Sequence, residues 1–423
     1  MQIKISNIGK IKEAEVTING ITVIAGENNT GKSTIGKALY AMFNSFFDVK
    51  QRVDEERIGS LRRTLHGFAN EIDSFGFTKF DVQKIAVKLN AGRNELTKEK
   101  LAEVLSSKFN YENKNLDINK NVFESTIDKI MRILEITDEA YTRTLTQKIF
   151  GDEFKQQINN TLEKEAGYVE LTIKKYVSKV YFNNDIASNV SKSIDIFNKA
   201  IYLDDPFVLY RGPVNGRFPK NYKLNAYYGH QDTLCELIYS NQEDYNLVDK
   251  IVADERLKKI MGKMQVACKG NVFFKDNGEL LYQQHNVSVP FKVANLSTGL
   301  KSFAILQTLL LNGAIKDGSL IILDEPEIHL HPGWQLLFAE LIVMLQKEFN
   351  LHILLNTHSP YFLQAIEVFA EKYEIEDKCE YYLSYNDHEE SFVKSVTGNL
   401  EEIYATLARP LQLLEDLRYA DDK

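Results

Sequence analysis

The chain has 423 residues, 44% of them hydrophobic and 26% charged, with a formal net charge of -8. That length can bury one large core or two smaller ones, and the composition is ordinary for a globular protein. The acidic balance excludes a protein that coats nucleic acid by bulk charge, although a local basic groove is compatible with it.

Basic pairs such as Arg62-Arg63 and Lys174-Lys175 read as solvated helix faces. Cys235, Cys268 and Cys379 lie far apart with no CxxC spacing, which suits a reducing compartment and argues against a disulfide framework or zinc knuckle. The opening MQIKISNIGKIKEAEV lacks a signal peptide's apolar block, and no apolar run approaches the ~20 residues of a membrane span. A cytoplasmic protein without membrane association is expected.

Along the chain, Ile3, Ile5, Ala14, Val16 and Ile18 alternate at period two and predict edge strands or a hairpin. Asn19-Gly20 predicts a tight turn into a short strand, Ile21–Ala25, followed by a Gly-rich loop and helix-compatible sequence from Lys32 to about Phe47. All eight prolines lie at or beyond Pro206. The preceding stretch therefore has no such helix breaker. Phe123, Ile127, Ile130 and Leu134 repeat at helical spacing, as do Phe154, Ile158 and Leu162, so the region to 197 reads as mainly helical. Heptads are not sustained, which argues against a long coiled-coil arm.

From Ile201 a short apolar strand gives way to Pro/Gly turns, and a second helical stretch covers about 223–265. NVFFKDNGELLYQQHNV predicts a hairpin turning at Asn277-Gly278. Leu320–Leu323 and His352–Leu355 are continuous apolar runs among helices, the pattern of buried parallel strands. EYYLSY reads as the final strand, ahead of helical sequence at Glu401–Leu407 and Leu411–Leu417.

Four motifs carry chemistry. Gly26-Glu-Asn-Asn-Thr-Gly-Lys-Ser-Thr34 fits GxxxxGK[ST] between a predicted strand and helix, the context that separates a P-loop from a chance match. Its glycines let successive N–H groups face phosphate oxygens at a helix N-terminus. The nucleotide-binding candidates are Gly26, Asn28, Asn29, Thr30, Gly31, Lys32, Ser33 and Thr34. Lys32 would neutralise the β- and γ-phosphates of ATP, and Ser33 would hold Mg2+. Leu320-Ile-Ile-Leu-Asp-Glu-Pro326 is an apolar strand ending in two acids, which a buried strand normally avoids. Asp324 is the second candidate magnesium residue. Glu325 is positioned to orient or deprotonate the attacking water.

Asn295-Leu-Ser-Thr-Gly-Leu-Lys301 opens an amphipathic helix, with Ser297 as a favourable N-cap and Gly299 permitting close backbone approach to a ligand. Asn356-Thr-His-Ser-Pro360 ends an apolar strand, where His358 can hydrogen-bond a γ-phosphate and report its loss. Weaker constellations have bland readings. His329 and His331 with Glu327 read as hydrogen-bonded structure ahead of a chelate, and Arg211 and Arg217 as salt-bridge residues ahead of phosphate contacts.

In this order the P-loop, LSTGLKS, LDEPE and THS resemble the ABC-class ATPase heads of SMC, RecF and OLD (overcoming lysogenization defect) proteins. DEPEIHLHP and NTHSP are most similar to OLD-like ATPases, including ATPase subunits of bacterial anti-phage systems such as PtuA. The resemblance covers about 1–45 and 268–370. It implies an α/β P-loop head of the ABC class with a large, mainly helical insertion: head at 1–45, 198–222 and 266–423, insertion at 46–197 and 223–265.

The resemblance also implies an ATP-hydrolysing homodimer with ATP at its interface, in which Ser297 and Gly299 of one subunit touch the γ-phosphate held by Lys32 of the other. LSTGL departs from the commoner LSGGQ by placing Thr298 where a glycine is usual. The family's Q-loop glutamine has no clear counterpart; Gln83 is the candidate. YNDHEE is a poor substitute for the Toprim nuclease of OLD proteins, so a separate nuclease or toxin effector is the expected partner. The alternative is a RecF-like DNA-repair clamp that binds nucleic acid directly.

Overall fold

A computed structural model describes residues 1–71, 79–109, 117–162, 165–192, 194–211, 229–239, 247–275 and 277–420. The chain forms two compact units, Met1–Phe47 with Thr146–Lys423, and Asp48–Leu145. The N-terminal alternation folds as an antiparallel hairpin of β1 (Gln2–Ile8) and β2 (Ile11–Thr17), with Ile3, Ile5, Ala14 and Val16 buried. Neither strand is an edge. β1 also pairs with β4 (Gly167–Ile173), and β2 with β14 (Glu390–Ser395). Among the described residues these strands belong to an 11-stranded sheet.

The helical reading of 46–197 fails at its C-terminal end. There β4, β5 (Tyr176–Asn183) and β6 (Ile186–Ser191) form an antiparallel meander. GYVELTI and YVSKVYFN have the period-two burial of strands. The helical spacing of Phe154, Ile158 and Leu162 is coincidental: α6 (Asp138–Phe154) stops where Lys155 and Gln156 take left-handed backbone, φ 51° and 66°. That conformation cannot continue a right-handed helix.

The other half of the sheet is parallel, in the order β13 (Cys379–Asp387), β3 (Ile21–Gly26), β12 (His352–Thr357), β11 (Leu320–Asp324) and β7 (Ile201–Leu203). Its central strands are mostly apolar and almost entirely buried because helices cover them, among them α1 (Lys32–Phe46), α9 (Thr298–Leu311), α10 (Pro332–Phe349) and α11 (Pro360–Lys372). Two helices, α7 (His230–Tyr239) and α8 (Leu247–Cys268), fall in the second predicted helical stretch and bury Leu234, Ile260 and Met264 in the same core.

The predicted hairpin forms as β8 (Gly270–Phe274) and β9 (Leu280–Gln284), with Gly278 at φ 77°, and β10 (Phe291–Lys292) joins it. EYYLSY is not the last strand, since β14 follows it. The C-terminal segments merge into one helix, α12 (Glu401–Ala420), with Pro410 inside it.

The second unit is helical: α2 (Val49–Glu71), α3 (Lys79–Ala91), α4 (Lys98–Phe109) and α5 (Asp117–Glu135). Leu61, Leu65, Phe68, Leu101, Leu105 and Ile130 form its core. Beside that core, Arg57 is 1% exposed and donates to the Ile136 carbonyl at 3.1 Å and to Asp138 at 2.5 Å. A guanidinium buried this deeply needs such partners.

Candidate nucleotide site

Parallel strands place the loops after their C-terminal ends on one edge of a sheet. Here β3, β12, β11 and β7 do so with Asp324 beside Asn356, Asn356 beside Ile24, and Leu323 beside Leu203 in register. The Gly26–Thr34 loop, the Asp324-Glu325 pair and the segment ending in His358 therefore meet at one edge.

The loop is held from several sides. Lys10 Nζ donates to the Asn29 carbonyl at 3.1 Å, Ser384 Oγ to the Thr30 carbonyl at 2.5 Å, and Thr30 Oγ1 to the Glu27 carbonyl at 2.9 Å. Gly31 has φ 85°, and a Cβ there would lie 2.4 Å from Ile11 Cδ1. Gly31→Ala is expected to destabilise the chain by about 1–2 kcal/mol from the left-handed backbone alone, with the clash added. Thermal melting checks this, and an unchanged Tm would refute the strain.

Lys32 begins α1 and is 4% exposed, its Nζ donating to the carbonyls of Gly26 at 3.0 Å and Glu27 at 2.7 Å. Burial pushes its ammonium below the usual lysine range, against the pull of Glu325, Asp324, Glu327 and Glu27. A phosphate placed here would meet a cation already drawn out of water, where its attraction is strongest. Ser33 is exposed on the first turn of the same helix. The helix N-terminus is an anion-binding feature in its own right.

Asp324 is oriented through both oxygens: Oδ1 accepts from Asn356 Nδ2 at 2.9 Å and Oδ2 from the Tyr202 hydroxyl at 3.0 Å. Asn356 Nδ2 also donates to the Lys32 carbonyl at 3.2 Å, tying loop to strand. Glu325 takes left-handed backbone, φ 51°, and its N–H donates to the Asn356 carbonyl at 2.9 Å. His358 Nδ1 lies 3.2 Å from Glu325 Oε1, an ion-pair distance without hydrogen-bond alignment. A non-glycine residue held at positive φ is a form of strain that concentrates at functional sites.

Asp324 and Ser33 offer the hard oxygens that magnesium takes, and they fit it. Among the described residues no group of three His, Cys, Asp or Glu could hold a metal by itself. The chelate of His329, His331 and Glu327 does not form. Glu327 is 2% exposed and accepts from the Thr357 hydroxyl, while His331 Nδ1 caps α10 by accepting from Gly333 N at 3.3 Å. Burial drives the Glu327 carboxyl up, outweighing the Thr357 bond.

Ser297 and Gly299 lie in a different neighbourhood. Ser297 occupies the N-cap position of α9, but its exposed hydroxyl makes no capping bond, contrary to the role its type suggested. Gly299 is buried, and a Cβ there would lie 2.9 Å from the His329 carbonyl. Arg211 pairs with Asp232 at 3.3 Å, as a salt-bridge residue; Arg217 lies outside the described residues. Gln83 belongs to α3 of the helical unit.

Sequence reasoning missed Tyr202, Asp204, His230 and Glu153. His230 Nδ1 lies 2.7 Å from Glu153 Oε2 and Nε2 lies 2.8 Å from Asp204 Oδ2, with the imidazole stacked on Tyr202 at 4.3 Å. Burial pushes the His230 pKa down, but the two carboxylates outweigh it and raise it to about 9. Burial pushes Asp204 up, and the His230 bond and charge reverse that to hold its carboxyl low. One signal was available: Ile201-Tyr-Leu-Asp-Asp205 repeats the apolar-strand-then-two-acids pattern of 320–325.

Sheet order and motif placement define an α/β head with a Gly-rich loop between strand and helix at the edge of a parallel sheet, the layout of a P-loop ATPase. The profile of the AAA ATPase domain family matches residues 1–363, and the chain belongs to that family. Its fold is similar to solved SMC heads. The SMC head domain from Thermotoga maritima is 11% identical, covering 93% of this chain and 98% of that one, with a TM-score of 0.39. An SMC head bound to the C-terminal winged-helix domain of ScpA is 9% identical, covering 93% and 97%, with a TM-score of 0.44. A Pyrococcus furiosus SMC head with an extended coiled coil, bound to the C-terminal domain of ScpA, is 11% identical, covering 99% and 98%, with a TM-score of 0.41. Among the described residues no helix is long and apolar enough to cross a membrane.

Proposed function

We propose that this chain binds ATP with magnesium, hydrolyses it, and closes as a head-to-tail homodimer around two nucleotides. The observation that carries the reading is the meeting of Lys32, Asp324, Glu325 and His358 at one sheet edge, bridged by Asn356. The N–H groups from Gly26 to Thr34 cradle the phosphates, and Lys32 turns from its own loop carbonyls to the β- and γ-phosphates. Ser33 and Asp324 hold magnesium, which when bound supplies positive charge to the phosphates. Glu325 orients the attacking water and accepts its proton. His358, beside it, bonds the γ-phosphate.

Ser297 and Gly299 complete the partner's pocket in this reading. Support comes from a serine hydroxyl exposed at a helix N-terminus and not engaged in capping that helix. Sedimentation of the Glu325→Gln chain should show a dimer with saturating ATP and a monomer without it, and Ser297→Arg should leave it monomeric in both. A dimer that ignores nucleotide, or survives Ser297→Arg, overturns the arrangement.

At the biological level the chain is a cytoplasmic, OLD-like regulatory subunit of a bacterial anti-phage complex that restrains a separate nuclease or toxin, with the helical unit as docking element. What supports this is the LDEPE–NTHSP wording joined to an independent helical core at Asp48–Leu145. Co-purification of an effector from cells, and phage protection lost on Lys32→Ala, are the expected results. Salt-sensitive, ATP-dependent DNA binding by the chain alone, with neither of these, would replace this reading by the RecF-like clamp.

A further inference from the structure

We propose that Tyr202 is a positioning residue for the Asp324 carboxylate, and that it sets how much magnesium strengthens ATP binding. The proposal rests on the reading of Asp324 as a magnesium residue.

Tyr202 lies on β7 in register with Ile322 of β11, one strand over from the acid. It is 1% exposed, and its hydroxyl donates to Asp324 Oδ2 at 3.0 Å. A buried tyrosine hydroxyl needs a partner, and this one takes a carboxylate oxygen that a cation would otherwise pull freely. Asn356 fixes the other oxygen. With one donor on each oxygen, the carboxylate plane is set and lone pairs remain for water or metal.

The ring that carries the hydroxyl is fixed as well. His230 stacks on it at 4.3 Å and an interplanar angle of 25°, and Tyr40 packs at 6.0 Å. His230 cannot slide: its ring nitrogens engage Glu153 and Asp204, and its backbone N–H donates to Glu153 Oε1 at 2.6 Å. From the α1 side, Gly36 leaves the space the hydroxyl occupies. A Cβ there would lie 3.1 Å from Tyr202 Oη and 3.2 Å from Ile322 Cγ2. A tyrosine serving only to fill the core would require neither a missing Cβ above its hydroxyl nor a carboxylate partner at the nucleotide edge.

The test is the affinity of the full chain for the fluorescent analogue mant-ATP, measured in excess magnesium and in EDTA. Tyr202→Phe keeps the ring and its stack, so binding in EDTA should stay within about twofold of wild type while the gain from magnesium falls about tenfold, the usual cost of losing an outer-shell partner. Gly36→Ala, which displaces the hydroxyl by another route, should reproduce that loss. A magnesium gain unchanged in both variants, or an equal loss with and without magnesium, overturns the proposal. Asp324→Asn separates the two levels. If it keeps the full gain, the magnesium reading of Asp324 fails and Tyr202's role with it; if it abolishes the gain and Tyr202→Phe does not, the positioning role alone falls.

Discussion

Glu325→Gln should lower steady-state ATP turnover by about 100- to 10,000-fold, the range expected when a general base is removed, while leaving ATP affinity near that of wild type. The geometry explains the split. Glu325 makes no hydrogen bond to the P-loop; its backbone is anchored through the Asn356 carbonyl, and its carboxylate faces His358 at 3.2 Å. Glutamine preserves shape, backbone anchor and side-chain length but cannot accept a proton from water. Phosphate release and mant-ATP binding, measured on the same preparation, check both halves. Turnover within about threefold of wild type would remove Glu325 from the catalytic role, since a base contributes far more than that. Equal losses of turnover and affinity would instead mean that the substitution disturbs the Asp324–Asn356–Lys32 bridge. Lys32→Ala should behave in the opposite way, losing affinity first, because its contact is made with bound nucleotide before any bond breaks.

The parts of this site legible in the sequence are those whose chemistry is local. Gly31 and Lys32 stand in a contiguous loop, and Asp324-Glu325 end a contiguous apolar run, so each announces itself within a few residues. The parallel strands were legible for the same reason, because covering both faces makes their sequence runs mostly apolar. The β4–β6 meander was not. Its alternation is mixed with lysines and tyrosines, and Phe154, Ile158 and Leu162 nearby share a helical spacing that only the left-handed Lys155-Gln156 interrupts. The polar cluster behind Asp324 was mostly hidden on another ground, with only the Asp204-Asp205 pair after an apolar run marking it. His230 and Glu153 are separated by 77 residues in sequence, and no spacing rule joins partners brought together by tertiary packing. Ser297 erred in the other direction: its type and position predict a cap, but its hydroxyl does not take that role.

That same cluster predicts a loss of stability on the alkaline side. His230 has its pKa raised from 6.5 to about 9 by Glu153 and Asp204, against the opposing effect of burial. A group with a raised folded-state pKa contributes its full stabilisation below the unfolded value, where both states carry the proton. The contribution fades as pH rises from 6.5 and is gone above about 9. At 1.36 kcal/mol per pKa unit the interval corresponds to about 3 kcal/mol of unfolding free energy. The four groups facing the imidazole come from three places in the fold: Glu153 on α6, Tyr202 on β7 with Asp204 just after it, and Tyr40 on α1. Deprotonation would leave Glu153, whose side chain is wholly buried, against a neutral ring, the costly half of a broken buried pair. Urea midpoints should therefore fall steadily between pH 6.5 and 9. In Asp204→Asn, where one of the two charges that hold the proton is gone, the fall should still begin near pH 6.5 but end at lower pH and be smaller overall. A wild-type profile flat across that interval, or one that Asp204→Asn leaves superimposable, would show that His230 carries no proton at neutral pH.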